Sequence, residues 1–261
     1  MSAFVDPPVA LPAVKDCYFY HTIELPGVGV CEGQWDLRPG VKTYLGPADF
    51  RGKRVLEIGT ASGYVCFELE RRGADVVAFD LPEDAAFDAP PVGGGEAHVA
   101  ASREGTRRIR NAFWLAHRLL GSRARLAVGH ANDLPASIGE FDVVVIANVL
   151  QHLRDPVGAV MQAARIARTV VVTEADWMAG EFDELQGMIY FGRADLPLSW
   201  YQVKPRLVES VLRRMGYGSF SIHRHEQLYR QSVSFNQQGG LQSKVVRGNV
   251  PHFTVTASRQ P

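Results

Sequence analysis

The chain has no excess charge of either sign, because 28 lysines and arginines balance 28 aspartates and glutamates among its 261 residues. It therefore lacks the overall positive field that draws proteins to nucleic acid. It also lacks a run of about 18 apolar residues and a recognisable signal peptide, so we expect no membrane partner. In the helix predicted over 102–120, Arg103, Arg107, Arg108 and Arg110 are expected to form a solvated face. These absences favour a small-molecule substrate.

Cysteine is also scarce. The chain has three cysteines, which are Cys17, Cys31 and Cys66. An odd number of cysteines without metal-like spacing predicts reduced thiols, a cytoplasmic location and no metal site.

Apolar strands and helical segments alternate along the chain, and a hydrophobic content of 46% suffices for one large domain. This alternation predicts an α/β fold with a doubly wound, seven-stranded, mostly parallel, Rossmann-like sheet. The predicted strands cover residues 55–58, 76–79, 124–128, 141–147, 169–173, 219–223 and 253–257, and the predicted helices cover residues 64–72, 102–120, 156–167 and 205–215.

A tight loop joins the first of these strands to the first helix, and Gly59 and Gly63 bracket it. A dinucleotide-binding loop has the pattern Gly-x-Gly-x-x-Gly, which would require two further glycines. Ala61 and Tyr64 occupy those positions in this chain. The loop therefore does not match a pyrophosphate site.

Acidic residues stand at the ends of the two strands around this loop. Glu57 would repel a pyrophosphate but suits a ligand that carries ammonium and sulfonium charges. Asp80 can accept hydrogen bonds from both hydroxyls of a ribose. The arrangement resembles motifs I and II of the class I S-adenosylmethionine-dependent methyltransferases, and the alternative is an unrelated α/β sheet with a glycine turn. We predict S-adenosylmethionine as the cofactor, held here by Glu57, Gly59, Thr60, Ala61, Gly63, Asp80 and Leu81.

The segment after the third core strand extends the resemblance. Its sequence, Gly-His-Ala-Asn-Asp-Leu-Pro over 129–135, is similar to the family's Gly-Asp-Ala-x-x-Leu-Pro segment, which holds adenine. His130 stands in place of the usual acid, so the resemblance leaves the adenine contact open between His130 and Asn132. We choose Asn132, because its amide can both donate and accept hydrogen bonds, and place Ala131 beside it.

Residues 148–153 resemble the family's segment after the fourth strand, which often ends Leu-His-His or Leu-Tyr-His. Gln151 replaces the first residue of that pair, and His152 keeps the second. On this alignment Asn148 contacts the cofactor and His152 faces the methyl donor. Because imidazole takes up a proton near neutral pH, we predict that His152 is catalytic. The alternatives are that His152 caps the following helix or bonds to the backbone.

The N-terminal segment (residues 18–36) adds a second resemblance. It reads Tyr-Phe-Tyr-His-Thr-Ile-Glu-Leu-Pro-Gly and then Gly-Gln-Trp-Asp, and it is similar to the branch related to the bacterial tRNA wobble-uridine carboxymethyltransferase. In that branch the opening segment covers the cofactor pocket. The resemblance implies a catalytic role for His21, an acceptor contact for Tyr20 and a cofactor contact for Trp35. The alternatives are a surface turn for His21 and ordinary packing for Trp35.

The tRNA member of that branch uses a carboxylated form of S-adenosylmethionine. It recognises the added carboxylate partly through a tyrosine, at the position of Gln151 here, and partly through an upstream lysine. This chain has Gln151 instead and no lysine in residues 18–24. The resemblance therefore implies plain methyl transfer, and we assign Gln151 to acceptor binding.

The connection after the fifth core strand is rich in aromatic residues. A connection of this length within a compact domain is usually functional, and aromatic walls suit a planar or apolar ligand. We predict that it is a substrate lid, and the alternatives are a packed extra helix or a dimer contact. Glu174 and Asp176 would bind a polar handle of the acceptor. The predicted acceptor contacts here are Glu174, Trp177, Tyr190 and Trp200.

These features predict an S-adenosylmethionine-dependent methyltransferase of secondary metabolism, which methylates an oxygen or nitrogen of a small aromatic or apolar metabolite by direct displacement. The alternatives are an RNA-directed member and a non-catalytic cofactor-binding module. Dimerisation stays open. The expected single domain consists of a cap segment (1–50), a cofactor-binding core (51–174), the lid (175–204), and a C-terminal helix and hairpin (205–261).

Overall fold

The structure is a computed structural model that describes residues 3–85, 95–190, 199–237 and 240–260. Parts of the loop after Asp80 and of the predicted lid, including Phe191, lie outside the described residues. The helices are α1 (Val41–Tyr44), α2 (Tyr64–Arg71), α3 (Gly95–Leu119), α4 (Pro156–Ile166) and α5 (Pro205–Arg214). The strands are β1 (Phe4–Val5), β2 (Ile23–Leu25), β3 (Gly29–Cys31), β4 (Trp35–Asp36), β5 (Arg54–Ile58), β6 (Asp75–Asp80), β7 (Arg125–Val128), β8 (Phe141–Ala147), β9 (Ala167–Ala175), β10 (Met188–Tyr190), β11 (Tyr201–Val203), β12 (Ser219–Gln237) and β13 (Gly240–Ser258).

One central sheet of nine strands dominates the part of the chain that the structure describes, in the order β1-β7-β6-β5-β8-β9-β13-β12-β4. Strands β7, β6, β5, β8 and β9 are mutually parallel, whereas β13 pairs antiparallel with both β9 and β12. The predicted α/β fold class is confirmed. The predicted count of seven strands is exceeded because β1 and β4 add to the two edges. Strands of two residues are too short to show an alternating pattern in the sequence.

The strand order reverses between β5 and β8. From β5 the chain moves outward through β6 to β7, and it then returns to place β8 and β9 on the other side of β5. Open α/β sheets bind ligands outside the carboxyl ends of their strands at such a reversal. Gly59, Leu81 and Asn148 directly follow β5, β6 and β8, so the predicted cofactor residues surround the reversal point.

Apolar side chains cover both faces of the sheet. Val55 and Val143 belong to the core cluster that includes residues of α2 and α3. The next residues along each strand, Leu56 and Val144, belong to the cluster on the other face, with residues of α4 and α5. Because side chains alternate between the faces of a strand, helices on both sides bury the strand completely. This burial explains the uninterrupted apolar run in β8.

The closing antiparallel pair is confirmed and is much longer than predicted. Ser219 faces Ser258, and the register continues to Gln237 opposite Gly240. Strand β13 also pairs with β9, from Ser258 to His252. The hairpin therefore closes the sheet and brings His252 beside the carboxyl end of β9.

Helix α3 begins at Gly95, earlier than predicted. The expected solvated arginine face is wrong for Arg110, whose exposed fraction is 6%. Its Nη2 donates to the Leu81 carbonyl oxygen at 2.9 Å, and burial lowers the pKa of this guanidinium. Among the described residues, no helix has the length and hydropathy that a membrane crossing requires.

Candidate functional site

The loop after β5 requires glycine at both of its ends. Gly59 and Gly63 have φ values of +83° and +89°, in the left-handed region that other residues rarely adopt. A Cβ at Gly59 would also clash with the Val149 side chain, and one at Gly63 would lie 2.5 Å from the Phe67 ring. The sequence therefore fixes a tight loop between β5 and α2, with backbone amides near the reversal point.

Asp80 holds this loop in place. One carboxylate oxygen accepts from the backbone N–H of Ala61 at 2.7 Å, and the other accepts from the N–H of Leu81 at 2.8 Å. A carboxylate oxygen can accept more than one hydrogen bond. Each oxygen therefore retains capacity for a hydroxyl donor, as the predicted ribose contact requires.

Glu57 is almost completely buried, with an exposed fraction of 1%. Among the described residues, neither its Oε2 nor the buried hydroxyl of Thr60 has a hydrogen-bond partner. Burial, reinforced by the charge of Asp80 and opposed by the nearby Thr60 hydroxyl, raises the pKa of Glu57 to about 8. A buried carboxyl oxygen without a partner is costly, and a cationic ligand group beside it would relieve that cost. Glu57 therefore fits the ammonium end of the predicted cofactor.

Ser62 attaches the N-terminal segment to the loop, a contact that the sequence did not reveal. Its hydroxyl oxygen accepts from the backbone N–H groups of Tyr20 and His21, at 3.1 Å each. His21 has an exposed fraction of 5%, so the surface-turn alternative is wrong. Burial lowers the pKa of His21 to about 3, and its Nδ1 has no partner among the described residues. His21 is thus a neutral imidazole close to the loop.

Trp35 lies at the centre of an aromatic cluster formed by Tyr20, Trp35, Trp177, Tyr229 and His252. Its indole N–H donates to the Tyr20 hydroxyl at 3.2 Å. Its ring centroid lies 4.5 Å from Tyr229, 5.1 Å from His252 and 6.3 Å from Trp177. The packing alternative for Trp35 therefore holds, and its predicted cofactor contact stays a prediction.

Gln151 connects the aromatic cluster to the turn after β8. Its amide nitrogen donates to Asn148 Oδ1 at 2.7 Å, and its amide oxygen accepts from the Trp177 indole N–H at 3.2 Å. Asn148 adopts a left-handed φ of 60°, and its Oδ1 also accepts from the Ala175 N–H at 3.1 Å. The structure thus brings together Asn148, Gln151 and Trp177, which were predicted separately for cofactor and acceptor.

Glu174 has a different role from the predicted acceptor contact. Its carboxylate accepts from the backbone N–H groups of Val149 and Leu150 at 2.7 Å each, and from that of Gln151 at 3.3 Å. Burial raises the pKa of Glu174 to about 7, although these hydrogen bonds oppose the rise. A side chain that is buried and committed to three amides organises the turn rather than the ligand.

Asp176 also differs from its predicted role. It is buried and accepts from the Lys204 ammonium group at 2.8 Å, and Lys204 is itself fully buried. The same Nζ donates to the Met178 carbonyl oxygen at 2.8 Å. This pair anchors the start of the predicted lid. Nothing in the sequence indicated it, because Lys204 precedes a helix and stands alone.

The predicted catalytic residue His152 and the predicted acceptor residues Trp200 and Tyr190 differ in how close they lie to this network. His152 is half-buried in the 3₁₀ turn of residues 150–152. The backbone N–H of Trp200 donates to the Gln151 carbonyl oxygen at 2.7 Å. Tyr190 is 59% exposed and packs against Tyr201 in the β10–β11 hairpin. The structure therefore gathers His152 and Trp200 around Gln151 and shows no such contact for Tyr190 among the described residues.

On the adenine side, the side chain of Asn132 is partly committed. Its amide nitrogen donates to the Asp155 carbonyl oxygen at 2.6 Å, while Ala131 is buried and His130 is exposed. The Asp155 side chain caps α4 by accepting from the Gly158 N–H at 2.7 Å. Asp155 thus has the capping role that was the alternative for His152. The adenine contact of Asn132 stays a prediction.

Known proteins resemble the chain in sequence. A family model described as a methyltransferase domain matches residues 36–218, which is more than half of the chain. The ubiquinone biosynthesis O-methyltransferase of Methylococcus capsulatus is 28% identical over 117 residues, and the match covers 45% of this chain and 40% of that protein. The protein of the same name from Hahella chejuensis is 27% identical over 122 residues, again covering 45% and 40%. The match thus spans less than half the length of these curated relatives.

Solved structures resemble it in fold. The N-terminal domain of EvdMO1, crystallised in the presence of SAH and D-fucose, has a TM-score of 0.56 at 18% identity, covering 92% of this chain and 90% of that one. The YcgJ protein of Bacillus subtilis has a TM-score of 0.51 at 11% identity, covering 82% and 95%. Identities this low establish a shared fold alone. With its matched residues running from the N-terminal segment through α5, the chain belongs to the methyltransferase domain family.

Proposed function

We propose that the chain transfers a methyl group from S-adenosylmethionine to an oxygen atom of a small aromatic metabolite, with nitrogen as the second choice. The observation that carries the proposal is the hydrogen bond from Trp177 to Gln151. It joins the aromatic cluster to the turn after β8, beside the point where the strand order reverses. Aromatic walls with a few fixed polar groups suit a planar acceptor.

The residues near the loop fit the cofactor. Glu57 offers an unpartnered, buried carboxyl oxygen to an ammonium group, and Asp80 offers two oriented oxygens to ribose hydroxyls. When bound, S-adenosylmethionine supplies a methyl group on a positively charged sulfur. The proposed contacts are Trp35, Glu57, Gly59, Thr60, Ala61, Gly63, Asp80, Leu81, Ala131, Asn132 and Asn148.

Orientation of the acceptor is the main task left to the protein. Alignment of nucleophile, methyl carbon and sulfur converts a bimolecular reaction into an effectively unimolecular one, which is a large source of rate. Gln151 and Trp177 would hold the acceptor ring, while His152 would take the hydroxyl proton. His21 is a weak base at a pKa of about 3, so we assign it a hydrogen-bonding role in the site.

Other features support the finer parts of the proposal. The curated relatives are named O-methyltransferases, which favours oxygen as the methylated atom. The balanced charge of the chain disfavours RNA. The contacts of Tyr20 and His21 with Ser62 support the covering role that the carboxymethyltransferase-related branch implies. We retain one methyltransferase domain with a lid at 175–204. We also retain a cytoplasmic setting, which suits three free cysteines. The proposal allows a homodimer as well as a monomer.

The experiment is transfer of a labelled methyl group from S-adenosylmethionine to a panel of phenols, amines and sugars, with bulk tRNA in parallel. We expect label in a phenol. Label in tRNA alone would replace the proposal with the RNA-directed alternative, and cofactor binding without any transfer would indicate a binding module.

A further inference from the structure

Two imidazoles stack beside the aromatic cluster. The rings of His225 and His252 lie 5.6 Å apart with an interplanar angle of 18°. His252 has an exposed fraction of 2% and packs edge-on against Trp35. Neither histidine belongs to a recognisable sequence motif.

The hydrogen bonds of His225 satisfy both ring nitrogens. The Gln227 amide nitrogen lies 2.9 Å from Nδ1, and since an amide NH₂ can only donate, Nδ1 is the acceptor. The proton of the neutral ring is then on Nε2, which donates to the Thr254 hydroxyl oxygen at 2.9 Å. His225 therefore has no capacity left for a ligand.

His252 has the opposite arrangement. Its Nδ1 lies 2.8 Å from the Val250 carbonyl oxygen, and since a carbonyl can only accept, Nδ1 carries the proton. Nε2 is therefore an acceptor with a free lone pair. Among the described residues this buried nitrogen has no partner. Buried polar atoms are normally paired, so an unpaired one indicates a missing donor.

His252 lies on the side of the site proposed to bind the methyl acceptor, so the missing hydrogen-bond donor would belong to that substrate. In the sheet His252 faces Ala175, at the carboxyl end of β9, and its ring contacts Trp35 of the aromatic cluster. Strands β8 and β9 separate β13 from β5. At about 4.8 Å per strand, His252 is displaced sideways by roughly 14 Å from the strand that carries the cofactor loop. The proposed function places the methylated oxygen at His152, in the turn after β8, and β9 separates β8 from β13. A donor at His252 is then a second group of the methyl acceptor.

We propose that His252 Nε2 accepts a hydrogen bond from a second hydroxyl of the acceptor, and that the preferred substrates are aromatic compounds with at least two hydroxyls. This inference rests on the proposed methyl transfer to an aromatic hydroxyl. Burial lowers the pKa of His252 to about 4, so its ring is neutral at pH 7. A neutral imidazole nitrogen distinguishes a hydroxyl from a cationic amine only weakly by charge. It discriminates strongly against substrates that have no hydrogen-bond donor at this point.

The test compares catechol, resorcinol and hydroquinone with phenol as methyl acceptors. In the wild-type chain we expect kcat/KM for the best dihydric phenol to exceed that for phenol at least tenfold. His252→Phe keeps an aromatic ring against Trp35 and should abolish this preference, so that kcat/KM for the best dihydric phenol falls to that for phenol, while S-adenosylmethionine affinity stays within about threefold. The matched control, His225→Phe, alters the stacked ring whose nitrogens are already satisfied and should keep the preference. An unchanged preference in His252→Phe would overturn the inference.

A second readout does not depend on the folding of the variant. In ¹⁵N-labelled protein with the demethylated cofactor bound, the best dihydric phenol should shift the Nε2 resonance of His252, and phenol should not. Equal shifts or none would mean that a buried water satisfies Nε2, which overturns the inference. Failure of the proposed function is distinguishable, because then no phenol is methylated although the cofactor binds.

Discussion

Glu57 and Gln151 are both buried polar side chains beside the site, yet their bonding differs. One oxygen of Glu57 has no partner among the described residues, whereas the amide of Gln151 bonds Asn148 at one end and Trp177 at the other. Unsatisfied polar groups form new hydrogen bonds when the ligand binds, and these add to the binding free energy. Satisfied groups already hold their shape before the ligand binds. Binding at Glu57 therefore depends on charge, and the turn around Gln151 depends on preformed structure.

Replacement of Asp80 tests the cofactor side and has the largest expected effect. Asp80→Ala deletes the proposed acceptors for the ribose and also the bonds that hold Ala61 and Leu81. We expect affinity for S-adenosylmethionine to fall at least about a hundredfold, since hydrogen bonds to charged groups contribute about 1.5–3 kcal/mol each. Calorimetry measures the change, with exposed Asp84→Ala as control. A loss below threefold would contradict the assignment of Asp80.

Removal of His152 tests the acceptor side with an expected effect on rate. His152→Ala should reduce kcat about a hundredfold or more, the usual contribution of a positioned base. Affinity for the cofactor should stay within a few fold, because the proposed cofactor contacts are elsewhere. The matched control is His223→Ala, which removes an exposed imidazole. If kcat is unchanged at every pH between 6 and 9, His152 is structural.

Glu57 makes cofactor binding depend on pH. With its pKa raised to about 8, Glu57 is protonated in the free protein at neutral pH and would ionise next to a cationic ligand. We expect proton release on binding and an affinity that rises up to about tenfold per pH unit from 6 towards 8. Calorimetry in buffers of different ionisation enthalpy measures both. Glu57→Gln should give a flat profile, and exposed Glu226→Gln should keep the wild-type slope.

The same group affects stability in a defined direction. Between the ordinary pKa of a glutamate, 4.5, and about 8, the folded chain binds a proton that the unfolded chain has lost. The free energy of unfolding therefore falls as pH rises through this window. Urea denaturation from pH 7 to 8 should show the decline, reduced in Glu57→Gln, because the buried histidines, whose lowered pKa values act in the opposite direction, contribute mainly below about pH 6.5. An equal slope in the variant would place the titration elsewhere.

Gln151→Leu is expected to have the smallest effect. It breaks the bonds to Asn148 and Trp177 while keeping a side chain of similar size. We expect KM for a phenol to rise about fivefold to tenfold, since a lost buried partner costs about 1–3 kcal/mol and the turn partly retains its shape through Glu174. Steady-state kinetics measure it, with exposed Gln186→Leu as control. An equal weakening of cofactor binding would show that the two sides are not separable.

The two sides also differed in how far the sequence predicted them. Gly59, Gly63 and Asp80 lie within one strand–helix–strand unit, where a positive φ or an acid at a strand end leaves a local signal. The contact between Trp35 and His252 joins residues more than 200 positions apart, and no periodicity relates them. The sequence did not reveal the contacts of Glu174 for a physical reason. An acid at a strand end can bind either a ligand or backbone N–H groups, and only the packing around it determines which. Burial of Arg110 was missed for the same reason.

Ser62 has a consequence for the release of a bound cofactor. Its single hydroxyl holds two successive amides of the N-terminal segment. Neutral hydrogen bonds contribute about 0.5–1.5 kcal/mol each, so this pair contributes about 1–3 kcal/mol to the attachment of the segment. The buried side chains of Phe19, Ile23 and Trp35 add to that attachment. Ser62→Ala would weaken the attachment and shorten the residence time of the spent cofactor.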